Sequence, residues 1–280
     1  MMKRICIVIV SVFVAVFAKA EVEFAYEAGA ELVTAYMWRG QNCGGLSLQP
    51  DLQIGYDGEH TALRFGTWWS IGSSDWQFNN NTYFGAEMDW SLQFRFYGAF
   101  VGMTQLYFFD DDRDPGDCSP FLGWNKSVEQ LYEENFTSQT EIQVGYDFGE
   151  LLNVPLTITW GTCVAGADFL ESEDEEGNTT VSRAYSSYIE LAYTHEFDHG
   201  VSLGGTLGFS PWRSEVYANE KFALINIAAR VDKVWELDVC ELDLFAQASI
   251  NPDGINKQNA ITLDKSEQHL NGCIGFGVWF

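Results

Sequence analysis

Basic residues are scarce in this sequence. Fifteen Lys and Arg stand against forty Asp and Glu in 280 residues. A chain so poor in cations lacks the clusters that phosphate backbones require, which excludes nucleic acid as a partner. Histidine is nearly missing too, with only His60, His195, His199 and His269. The letters of H-E-x-x-H at His195 to His199 and of G-x-S-x-G at Gly200 to Gly204 fall across an expected strand, tight turn and strand, without the helix or the strand-to-helix elbow that either chemistry needs, and no phosphate-loop motif occurs. No Ser or Asp at a telling spacing completes a triad with any of the four, so we expect no enzyme and no cofactor. Six cysteines are present, none in a C-x-x-C pair, and zinc ligation is not expected. Proline is limited to six residues. Beyond the first twenty positions no apolar run approaches the ~20 residues that a spanning helix needs.

The one apolar run stands at the N-terminus. Lys3 and Arg4 precede Ile5 to Phe17, and Ala18-Lys19-Ala20 reads as a small-residue cleavage site. The run is too short for a membrane helix, so residues 1–20 are expected to be a cleaved secretory signal peptide and residues 21–280 the mature domain. Removing them takes away Lys3, Arg4 and Lys19, which leaves twelve bases facing forty acids. Cys6 goes with the leader. Of the other five, Cys43 and Cys118 fall in expected outer loops, where a disulfide fits an oxidising space. Cys163, Cys240 and Cys273 read as packed thiols.

What the chain has in quantity is alternation and aromatics: ten Trp, twelve Tyr and twenty-one Phe. Phe84, Ala86, Met88, Trp90, Leu92 and Phe94 alternate with Gly85, Glu87, Asp89, Ser91 and Gln93. Leu46 to Tyr56, Glu141 to Phe148 and Leu270 to Phe280 repeat the period of two that marks strands. Twelve strands are expected, near 28–38, 46–56, 61–71, 83–95, 98–108, 137–148, 155–168, 184–196, 200–212, 221–234, 240–250 and 270–280. The intervening connections alternate between short and long. An up-and-down transmembrane barrel has that rhythm, with tight periplasmic turns and long outer loops. The fold class is therefore all-β, an antiparallel transmembrane barrel of about twelve strands. A soluble sandwich or lipocalin-like barrel would also alternate. Three features favour lipid. The polar face mixes Gly and Ser with acids rather than Lys. Tyr36, Trp38, Trp69, Trp212, Trp235 and Trp279 lie near strand ends, where aromatic girdles form. The last strand ends on aromatic Phe280, as a recognition signal for a barrel-assembly machinery would. Localisation in the outer membrane of a Gram-negative bacterium follows, with its lipid and lipopolysaccharide as surroundings.

With apolar positions facing lipid, their neighbours face a lumen. That parity places Glu31, Asp51, Glu87, Asp89, Glu141, Glu190 and Asp243 inside, with Arg64 and Arg95 as partners. One reading is a hydrated, acid-walled channel that admits small hydrophilic solutes and prefers cations. The other is a packed interior of paired charges under acidic surface loops, conducting little. Asp110, Asp112 and Asp114 alternate before Gly116 like part of a calcium loop, but Phe121 stands where the distal Glu is required. Ser127 to Asn135 suggests a short helix opened by a Ser127/Gln130 capping box.

Thr34-Ala35-Tyr36-Met37-Trp38-Arg39-Gly40, followed by Ser47-Leu48-Gln49-Pro50, resembles the opening of the TorF-like porins of Gram-negative outer membranes. The resemblance covers the first two strands. It implies an outer-membrane pore without catalytic residues, and makes Trp38, Arg39 and Gly40 a structural corner at the mouth. There Gly40 would permit the turn, and Arg39 would reach carboxylates or lipid phosphates.

Overall fold

The computed structural model describes residues 23–78, 81–109, 123–124, 126–134, 136–173, 176–214, 216–217, 219–252 and 270–280, with side chains described at all of these except 73–85. Along the chain the strands are β1 (Glu23–Val33), the short pair β2 (Tyr36–Trp38) and β3 (Gln41–Gly44), β4 (Ser47–Asp57), β5 (Thr61–Phe78), β6 (Asn81–Phe96), β7 (Ala99–Phe109) and β8 (Gln139–Asp147). They continue with β9 (Leu156–Gly166), a second short pair β10 (Phe169–Glu173) and β11 (Thr179–Arg183), then β12 (Ser187–Phe197), β13 (Val201–Ser210), β14 (Ala223–Glu236), β15 (Glu241–Ile250) and β16 (Leu270–Trp279). Among the described residues the helices are the short α1 (Val128–Glu133) and α2 (Gly149–Leu152). The twelve long strands form one closed antiparallel barrel, and the two short pairs are separate two-stranded sheets. β16 closes on β1, from Gly29 opposite Trp279 to Val33 opposite Gly275. Backbone bonds between Ala28 and Phe280 extend that seam.

The burial pattern is inverted relative to a soluble protein. Along β16, Leu270, Ile274 and Phe276 are exposed while Asn271, Cys273 and Gly275 are buried. On β4, Leu48, Leu52, Ile54 and Tyr56 face outward and Ser47 and Gln49 inward. The same holds for Leu92, Val101, Val144, Ile158, Leu203, Leu207, Val231 and Leu244 around the ring. Water would not tolerate an apolar belt that encircles the whole molecule, whereas hydrocarbon requires one. Closure is the other half of the argument, because a strand in lipid cannot leave its edge unpaired. The molecule is a membrane-spanning barrel. Among the described residues no helix is long and apolar enough to cross a membrane.

The start of β1, the end of β16 and the tight connections share one rim. Tyr97 and Gly98, with φ of 49° and 79°, make the two-residue turn between β6 and β7. Asp198 to Gly200 joins β12 to β13, and α2 lies between β8 and β9, ending in left-handed Asn153. At the opposite rim, α1 begins with the expected capping box: Ser127 accepts from Gln130 N while Gln130 accepts from Ser127 N. α1 buries Leu131 and rests beside the β10–β11 hairpin, where Tyr132 donates to Glu171.

The first expected strand needs correction. β1 stops at Val33, not at 38, and Tyr36 to Gly44 turns into the barrel as a hairpin of its own. Thr34 ends the wall strand by satisfying β16 locally: its N–H donates to Ile274 O and its Oγ1 accepts from Ile274 N, both at 2.9 Å. Alternation runs on through Tyr36 and Trp38 because an inward hairpin has the same period as the wall. Those two residues are accordingly not part of an outer girdle. Trp38 stacks on Tyr217 and Tyr36 lies against Trp68.

Candidate functional site

The β2–β3 hairpin is the object around which the lumen is organised. Arg39 and Gly40 both have positive φ, 48° and 83°, and Trp38 pairs with Gln41 across them. This is the two-residue turn that twists with its strands, and Arg is an unusual occupant of a position that favours Asn or Gly. Strained backbone of this kind is held only where the surroundings over-determine it. Here they do. Asn271 of β16 donates to Gly40 O at 3.2 Å, and Gln41 donates to Val216 O at 3.4 Å. Trp38 packs on the buried cluster of Tyr188, Val216, Tyr217, Ala223 and Ile225. Met37 packs on Val33, Ala35, Phe245 and Cys273. The hairpin touches β15 and β16 on one side, β12 and β14 on another, and β5 and β8 opposite.

Arg39 makes the tightest of these contacts. Its Nη1 and Nη2 donate to the two carboxylate oxygens of Glu141 on β8, at 2.6 and 2.7 Å. Nη1 also donates to Tyr217 Oη at 2.6 Å. The guanidinium carbon lies over the Trp38 and Tyr188 rings, 4.8 and 4.6 Å from their centroids. Glu141 is 2% exposed, and its remaining capacity accepts from Gln143 at 2.6 Å. Tyr188 is held in turn, donating to Glu190 and accepting from Asn226. Burial pushes the Tyr217 phenol up, and its oxygen accepts from Arg39. The fork-to-fork pair is strong because both groups are charged and the medium around them is not water.

Of the residues singled out by parity, Glu141 and Glu190 meet at this latch. Glu87 and Asp89 on β6 lie next to it. Tyr36 donates to Glu87, and Asp89 is within electrostatic reach of both Arg39 and Glu141. A buried Asp89 oxygen has no partner, and the same is true of one oxygen each on Asp51 and Asp243. Glu31 and Asp243 gather around Arg230, at 3.6 and 3.4 Å, with Asp232 at 2.6 Å. Arg230 lies over the Phe245 ring. Arg64 and Arg95 do not pair with the expected acids. They bind Asp57 and Asp147, near the turn rim, where those acids end β4, next to Arg64, and β8, one strand removed from Arg95. At the same rim His60 contacts Glu150. The calcium-like positions Asp110, Asp112 and Asp114 lie outside the described residues, as do Cys118 and His269. Among the described residues no cluster of three or more His, Cys, Asp and Glu is poised to hold a metal.

Parity missed Arg230 and Tyr188, although both obey it: Tyr188 shares a face with Glu190, and Arg230 with Asp232. Tyr217 carried no signal, since it comes from a connection without period.

No family model matches the chain, and no curated protein matches it. Solved structures do. The chain is similar to the "COG4313 outer membrane channel from Pseudomonas putida F1", at 11% identity over 93% of this chain and 94% of that one, with a TM-score of 0.46. It is also similar to OmpF of Salmonella typhi, described in complex with daunomycin, at 9% identity over 93% and 98%, with a TM-score of 0.38. A mutant of the monoaromatic hydrocarbon channel TodX matches at 8% identity over 92% and 89%, with a TM-score of 0.41. Likeness at this level leaves function to the chemistry of the lumen.

Proposed function

We propose that this barrel, once relieved of residues 1–20, is an outer-membrane channel of a Gram-negative bacterium for small hydrophilic solutes, with cations preferred over anions. The observation that carries the reading is the inverted barrel itself: an apolar belt outside and a carboxylate-rich inner face with unpartnered oxygens at Asp51, Asp89 and Asp243. Fixed negative charge inside a low-dielectric wall raises the local concentration of cations and lowers that of anions. The β2–β3 hairpin narrows the path and sets how much current flows.

The test is planar-bilayer conductance under a salt gradient, for the refolded mature chain and for a variant with 36–44 replaced by a short Gly-Ser link. Discrete steps are expected, larger in the variant, with a reversal potential on the cation side. A folded barrel that is silent in both forms would sink the channel. It would favour a second reading, supported by the hairpin that crosses the lumen: a plugged surface protein presenting acidic loops.

A further inference from the structure

The cradle that holds Arg39 is built by residues remote from it in sequence. Glu141 supplies two carboxylate oxygens in the plane of the fork, Tyr217 a hydroxyl at its edge, and Tyr188 a ring face beneath it. None belongs to the hairpin. Each is fixed independently of Arg39: Glu141 by Gln143, Tyr188 by Glu190 and Asn226, and Tyr217 by its N–H to Ser214 Oγ. Space for the two wall groups is cut into the neighbouring strands. A Cβ at Gly161 would lie 2.6 Å from the Glu141 carboxylate, and one at Gly208 would collide with the Tyr188 ring. A second carboxyl stands beside the single guanidinium: Asp89 is within electrostatic reach of Arg39 and has a buried oxygen without a partner.

We propose that Glu141, Tyr217, Tyr188 and Asp89 form a binding site for guanidinium-bearing organic cations, and that Arg39 occupies it as a tethered ligand. A planar in-line carboxylate, an edge hydroxyl and a ring face recognise a flat fork with donors on its edge. A spherical quaternary ammonium satisfies only the ring. The tether makes the local concentration of Arg39 high, so a free cation competes only when the hairpin swings away or the side chain is removed. The site needs only the lumen, whereas its use as a stage in passage rests on the channel proposed above.

The experiment is chemical rescue in the full-length mature protein. Arg39→Asn removes the guanidinium yet creates the Asn-Gly pair this turn prefers, which preserves the hairpin. Arg39→Ala is the companion variant. Methylguanidinium at millimolar concentration, far below denaturing levels, is added while melting temperature and single-channel current are recorded. Both variants are expected to melt lower than the wild type and to regain stability with methylguanidinium. Tetramethylammonium should restore neither, and Arg39→Asn/Glu141→Gln should bind the probe about tenfold or more weaker, the value of one charge-assisted bond. Wild type should not respond. A folded Arg39→Asn that melts unchanged with the probe, or is rescued equally by tetramethylammonium, overturns the site. Melting reads the site whether or not current flows. A silent but rescued barrel therefore removes the channel and keeps the site, and a conducting barrel without rescue does the reverse.

Discussion

Among the described residues Glu141 is the only acid within hydrogen-bond distance of Arg39. Removing one partner of a buried pair leaves the other charged and dry. Glu141→Ala is expected to destabilise the folded barrel by about 3–5 kcal/mol, measured by denaturant unfolding in detergent micelles. Glu141→Gln keeps one acceptor and should cost less. Gly161→Val tests the same group indirectly: its Cβ would enter the space of the carboxylate, so both the Arg39 pair and the current should change without any loss of charge. An unaltered channel in Gly161→Val would mean that Glu141 can move aside freely. The arginine itself was legible as a corner near the mouth that would reach carboxylates or lipid phosphates, and it reaches a carboxylate. Nothing in the Tyr-Met-Trp-Arg-Gly stretch announces that its partner lies 102 positions away.

Ten of the twelve wall strands stand within a few residues of where alternation puts them, since period two is an outcome of the pleat and belongs to any strand with unlike faces; β1 stops short of its expected end, and β5 runs past its own to Phe78. Alternation is blind to where a strand points, which is why the β2–β3 hairpin merged with β1. The β10–β11 hairpin was missed for another reason. Its residues Phe169–Glu173 and Thr179–Arg183 put polar side chains on both faces and show no clean alternation, as an element standing in water can. At its base, beyond the wall, Asp168 is buried and accepts from Ser186 N at 2.9 Å, while its other oxygen has no partner. Burial raises its carboxyl above the ordinary value, with Ser186 and Arg183 opposing. The folded form thus holds the proton more tightly than the unfolded chain does. The associated stability is complete in acid and is lost as pH rises through the raised value. Hydrogen exchange of the β10–β11 amides, corrected for intrinsic rates, should show protection falling as pH rises past the ordinary aspartate value of about 4. Asp168→Asn should flatten that slope, and an unchanged slope would assign it to another group.

For the whole molecule the deciding property is which face meets which solvent. Leu207 lies on the outer face of β13, 41% exposed, and Thr206 beside it points inward. Leu207→Arg is expected to cost about 2–4 kcal/mol if it lies near the bilayer centre, whereas Thr206→Arg should be accommodated by the wet, acidic interior. Equilibrium folding into lipid vesicles distinguishes them, and equal penalties would contradict the inverted barrel. Cation preference should also fade as salt approaches 1 M, where the screening length falls to about 3 Å. Strand number and the inside–outside assignment were open to sequence reasoning because each follows from local pattern. The latch was not, because it joins segments that meet only after closure.

That latch bears on how the ring is completed. A strand paired one residue out of place would turn its whole inner face toward lipid, and a ladder of backbone bonds alone would register the mistake weakly. The hairpin tip samples the wall at Glu141, Tyr188, Asn226 and Asn271, segments that span half the chain. In a ring of wrong stagger these would no longer converge, and Arg39 would be left as a lone buried cation. The tip thus serves as a gauge inserted into the bore, widening the energy gap between the correct closure and its near misses.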